Sequence, residues 1–202
     1  LTVDILSVVE VAELVVGTSI RKAGARTGLV DATISHGGRM VARASSQWIA
    51  GSGDGRSETP VVLPAIPGDR QDPGAHPDMN YPRPGFNADA VDLRVIDGST
   101  EDPGPGRIWI RLDHPLVDGE ETTAFQRIAT LSDLGAAVGW EAAPSGASFI
   151  NTDVSLQLVR RPRGEWFLFE SEVVHGDDGV ACCRSVISDE RGVLAWVTQS
   201  QV

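Results

Sequence analysis

Clustered positive charge is missing from this sequence. The 202 residues carry a formal charge of −11, and no run of Lys or Arg stands out. Phosphate binding depends on grouped cations, so the balance argues against a nucleic-acid partner or an anionic membrane surface. No apolar run approaches the roughly 20 residues that span a bilayer. Cysteine is scarce too: Cys182 and Cys183 are adjacent in an apparent strand and would point to opposite faces. They build no disulfide framework, which points to a reducing compartment and a cytoplasmic location. His36, His76, His114 and His175 each precede Gly or Pro in turn-like contexts. No His/Cys/Asp spacing resembles a metal site, so neither metal nor cofactor is expected. An initiator Met and signal-peptide regions are also lacking before the strand-like start at Leu1, which reads as a chain whose beginning is missing or removed.

With 41% apolar residues, the chain can bury a substantial core, as one large domain or two small ones. Its two ends echo each other. Residues 1–50 and 150–202 each open with a Thr-bearing strand (Thr2, Thr152) and continue with a long alternating strand (Leu14–Ile20, Trp166–Val174). Each then has a polar, Gly-containing turn, a strand, a Gly-bearing hairpin (HGGR, DERG) and a last strand with Ala then Gln. Four strands repeated about 150 residues apart suggest duplication. Between them, residues 51–85 are rich in Pro, Gly, Asp and Ser and read as an extended, mobile linker. Two strands follow, Ala88–Ile96 and Arg107–Leu112, joined by the turn-rich DGSTEDPGPG.

The stretch TAFQRIATLSDLGAAVGW, Thr123–Trp140, predicts a helix with little polar surface. At about 100° per residue, Phe125, Ile128, Ala129, Ser132, Asp133, Ala136 and Trp140 share one face, and Ala124, Leu131, Leu134 and Val138 cover most of the other. Such a helix is a buried one, and antiparallel strands curled around it would account for that. Asp133 is then anomalous. A carboxylate on an apolar face is desolvated, and its pKa rises toward that of a useful general base.

Three stretches in order, TLSDLGAAVG, FINTDVSLQLVRRPRGEW and DERGVLAWVTQ, resemble the double-hotdog acyl-CoA thioesterases, the thioesterase II-like family. The likeness is good over Arg107–Val202 and moderate over residues 1–50, where LTVDIL and GRMVARA match strands of the N-terminal hotdog; the linker shows none. The resemblance implies an α+β double hotdog, an antiparallel sheet wrapped around a long central helix. Residues 1–50 would be a partial N-terminal hotdog lacking its first strand and helix, and residues 86–202 the C-terminal one. It also implies hydrolysis of a fatty acyl-CoA to free acid and CoA. By position, Asp133, Thr152 and Gln199 would be the catalytic set that organises an attacking water. A hydroxyl and a side-chain amide can hold that water by hydrogen bonds. Backbone N–H groups around the helix would serve the oxyanion, with Gly135 or Gly139 allowing close approach. Arg161 is the candidate for CoA phosphates.

Each choice has a plainer alternative. Asp133 or Ser132 could cap a helix after a break at Leu131-Ser132. Thr152 is an ordinary β-former, Gln199 an ordinary strand residue, and Arg160, Arg161 and Arg163 a solvated basic turn. Trp109, Trp140 and Trp166 suit a core or an interface. The alternative to the thioesterase reading is a non-catalytic hotdog module that binds acyl chains or scaffolds an oligomer. A hotdog dehydratase would use a His with the acid, and Thr123–Trp140 holds none. Edge strands left open by such sheets predict a homodimer or homotetramer.

Overall fold

The structure, a computed structural model, describes residues 1–8, 11–51, 61–68, 85–98, 104–139 and 150–202. Trp140, most of the linker and the middle of the DGSTEDPGPG turn lie outside them. Among the described residues ten antiparallel strands form one sheet in the order β2-β3-β4-β1-β7-β10-β9-β8-β6-β5. The first half contributes β1 (Thr2–Ile5), β2 (Val15–Ala23), β3 (Thr27–His36) and β4 (Arg39–Ile49). The second contributes β5 (Val91–Asp97), β6 (Gly106–Leu112), β7 (Asp153–Leu158), β8 (Trp166–His175), β9 (Ala181–Asp189) and β10 (Gly192–Gln201). The order β2-β3-β4-β1 is mirrored by β7-β10-β9-β8, and the two halves meet where Val3 pairs with Val154.

The helical segment is shorter and less regular than the sequence predicts. It comprises α1 (Ala124–Leu131), one 3-10 turn over Ser132–Leu134, and α2 (Gly135–Val138). Thr123 caps it by a reciprocal pair: its hydroxyl accepts from Gln126 N at 3.3 Å, and Gln126 Oε1 accepts from Thr123 N at 2.8 Å. The break comes at Ser132, whose hydroxyl donates back to the Ala129 carbonyl at 2.7 Å. Such back-bonding competes with the helical ladder and tightens it locally. This turn also shifts which residues face inward. Ile128, Leu131, Leu134 and Val138 join Val91, Ile110, Phe167, Phe169, Ile187 and Val197 in one core, while Phe125 and Asp133 are exposed. The expected helix without a polar face is therefore corrected.

On the first half, by contrast, no described helix covers the equivalent face. Val16, Ile20 and Trp48 are exposed there, and the Trp48 ring lies over Gly28, where a Cβ would overlap it.

The sheet's other face also carries structure. Part of the linker, residues 61–68, crosses it. Val61 sits against Gly192, the Pro64 carbonyl accepts from Trp109 Nε1 at 3.2 Å, and the Gly68 carbonyl accepts from Arg94. The strap lies against Trp109, 4% exposed on a strand whose core residues point the other way. Beside it, buried Asp92 pairs with Arg94 and Arg111, and the Arg111 guanidinium stacks 4.9 Å from the Trp166 ring centre.

Arg160 does not belong to a solvated turn either. It forks onto Asp189, which is 0% exposed, at 2.7 and 2.5 Å, and donates to the Gly192 carbonyl. Burial alone would push the Asp189 carboxyl up, but Arg160 and the Arg191 and Arg163 N–H groups outweigh it and hold it below the usual value. A carboxyl held low stabilises the fold above its unfolded pKa, near 3.9, and that stability is lost as pH falls through the folded value. Asp189→Asn should cost about 3–5 kcal/mol at pH 7, as expected for removing one partner of a buried pair. Urea titrations should show the gap to wild type narrowing below about pH 4.

Candidate active site

β10 and β7 pair in register from Ala195↔Leu158 to Thr198↔Ser155. The next bridge is Asn151↔Gln201, so three steps along β10 match four along β7. Thr152 and Asp153 share the place opposite Ser200: Thr152 N donates to the Ser200 carbonyl at 2.8 Å, and Ser200 N donates to Asp153 Oδ1 at 3.1 Å. This is a β-bulge, which re-aims the residues beyond it. Unbroken alternation from buried Val154 would have turned Thr152 toward the helix. With the extra residue, Asn151 takes that direction.

Asn151 Nδ2 donates to Asp133 Oδ1 at 2.8 Å, and Gln199 Nε2 donates to the same oxygen at 3.2 Å and to the Asp133 carbonyl at 2.9 Å. Thus Asp133 and Gln199 come together, joined by Asn151, which the sequence does not single out. The Thr152 hydroxyl donates to the Ser200 carbonyl at 3.1 Å instead. Among the described residues no hydrogen bond reaches Asp133 Oδ2. The carboxylate is also solvent-exposed, which removes the desolvation argument for its basicity.

Below it, Gly135 rests on buried Ser185, which hydrogen-bonds Ser171 at 2.7 Å. A Cβ on Gly135 would overlap Ser185 Oγ and come to 3.0 Å from Gln199 Oε1. Gly139 is equally tight, its Cβ position lying 2.6 Å from the Ser171 backbone. Only glycine lets the 3-10 turn and α2 approach β8 and β9 this closely.

Arg161 is exposed in the loop at the opposite end of β7 from Asn151, roughly 20 Å away by strand rise. Cys183, beside Gln199 in register, is no nucleophile: burial pushes its thiol up to about 11. Among the described residues no His/Cys/Asp/Glu cluster could hold a metal, and no helix is long and apolar enough to cross a membrane. A cavity of about 340 Å³ lies elsewhere, lined by Asp97, Arg107, Glu170, Glu172 and Arg184. Its charges are partly self-paired, Arg107 with Asp97 and Arg184 with Glu172.

A carboxylate steadied by two amides has the chemistry to take up or release a proton. A family model, the acyl-CoA thioesterase C-terminal domain, matches residues 58–202. The chain belongs to that family. Its fold is similar to that of a hot dog fold protein of unknown function from Alicyclobacillus acidocaldarius, with TM-score 0.74 and 18% identity over 99% of this chain and 76% of the other. It is likewise similar to the acyl-CoA thioesterase II TesB2 of Mycobacterium marinum, with TM-score 0.70 and 16% identity over 100% and 78% of the two chains. No curated protein matches the sequence. The fold of this family member is therefore of the hotdog type, built on a large antiparallel sheet with a short helical segment.

Gly135→Ala should destabilise the protein by about 1–3 kcal/mol through overpacking. Ser185→Ala in the same chain should recover part of this, because it removes the first atom that the new methyl meets; a double-mutant cycle in urea measures the coupling.

Proposed function

We propose that the protein is an acyl-CoA thioesterase that hydrolyses a fatty acyl thioester by direct attack of water activated by Asp133. The observation that carries this reading is the pair of amide donors on one oxygen, Asp133 Oδ1, in a chain of this family. Spending both N–H groups there orients each amide. Among the described residues Gln199 Oε1 and Asn151 Oδ1 are left buried without a donor, and a water can give one hydrogen to such an acceptor while directing the other at Asp133. Asp133 takes a proton from that water as its oxygen bonds to the acyl carbon. The tetrahedral intermediate then collapses, the C–S bond breaks, and the thiolate takes the proton back from the Asp133 acid. General-base catalysis of this kind contributes about 10²–10⁴-fold.

In this reading Asn151 takes the role that the resemblance assigns to Thr152, and Gly135 serves by its closeness. Arg161 is left out of the site because β7 separates the two. We further propose that the mirrored strand order reflects two hotdog units, of which the second carries the helix.

Steady-state hydrolysis of medium- and long-chain acyl-CoA tests the assignment. Asp133→Asn should lower kcat by about 10²–10⁴-fold, with KM little changed. Asn151→Ala should lower kcat at least about tenfold, whereas Thr152→Val should stay within about twofold of wild type. A wild type without turnover, or an Asp133→Asn enzyme as fast as wild type, would support instead a non-catalytic acyl-binding module.

A further inference from the structure

Gln201 takes no part in the chemistry above, yet it is set into the same cluster. It ends β10 two residues beyond Gln199, so alternation turns both side chains to the helix-bearing face. The bridge to Asn151 places it directly opposite the residue that holds Asp133. Gln201 is 5% exposed, and its Oε1 is buried with no hydrogen-bond partner among the described residues. Buried polar atoms are nearly always paired, so each orphan calls for an explanation. Asn151 and Gln199 commit their N–H groups to Asp133, and the attacking water supplies a donor to one of their two oxygens. Among the described residues Gln201 makes no hydrogen bond to Asp133, and its backbone lies about 7 Å along the strand from Gln199.

We propose that Gln201 binds the thiol half of the substrate by accepting the N–H of its first amide. This rests on the thioesterase reading. In a pantetheine-type thioester that amide nitrogen is two methylenes from the sulfur, so it follows closely behind the reacting carbon. A primary amide complements it: its carbonyl accepts the N–H, which leaves its amino group to donate elsewhere along the arm. A site built around a buried acceptor discriminates strongly against an analogue that lacks the donor. Gln201 is thus a specificity residue for the carrier, separate from the acyl chain. The same arm is presented by CoA and by acyl carrier proteins, and both sources fit this chemistry.

The test is a one-atom change in substrate. Thioesters of N-acetylcysteamine and of 2-mercaptoethyl acetate with the same acyl group differ only in N–H against O at the relevant position. Wild type should prefer the amide at least about tenfold in kcat/KM, and Gln201→Leu should bring that ratio close to one. Because both esters are measured on one sample, partial misfolding does not change the ratio; Gln201→Met replaces the Leu variant if that one fails to fold. The same variant is then run on acyl-CoA and on an acylated carrier protein. The carrier that delivers the arm is the one whose kcat/KM falls about tenfold. An unchanged ester ratio, or wild-type rates on both carriers, overturns this proposal alone. A wild type that cleaves no thioester overturns the thioesterase reading and this proposal with it.

Discussion

One extra residue in a strand governs the site. β7 and β10 must keep their backbone groups paired, because unpaired buried peptide groups are costly. Fitting two residues opposite Ser200 satisfies that demand and reverses the side-chain direction beyond it. Asn151 then reaches Asp133, which the 3-10 turn offers from the other side. Gln199, 1% exposed, completes the contact from a strand whose register the bulge leaves intact. The two irregularities meet at one carboxylate oxygen. Glycines at 135 and 139 keep the helical segment close enough for the meeting to occur.

Much of this was legible in the residues. Alternation and Gly-bearing turns located the strands, and the four-strand echo anticipated an order that reads alike from both sides of the β1·β7 seam. The motif resemblance singles out Asp133 and Gln199, whose side chains hydrogen-bond in the structure. Asn151 was missed because a bulge inside a stretch of β-formers has no compositional mark. Thr152, one place along, looked like the better chemical group. The exposure of Asp133 was missed because a helical wheel assumes constant rotation, whereas Ser132 back-bonds and changes it. Arg160 resembled its neighbours in the basic turn. Only its buried partner Asp189, 29 residues on, sets it apart, and such long-range pairing is invisible to local pattern. The strap was hidden for a similar reason: a Pro-rich segment can lie against a sheet through a few carbonyls and apolar side chains without any periodicity.

The seam between the halves has a further consequence. β1 lies between β4 and β7, and it is β1 that keeps β7 from being an edge. Ile5 N donates to the Thr152 carbonyl at 2.9 Å, so the bulge itself is held partly by the first half. Among the described residues that half gives no side chain to the hydrogen bonds around Asp133, yet its local opening would free one flank of the strand that carries Asn151. Sub-global unfolding and the geometry of the carboxylate are therefore thermodynamically linked. Any molecule that fixes Asn151 against Asp133 would slow amide exchange in strands it never touches.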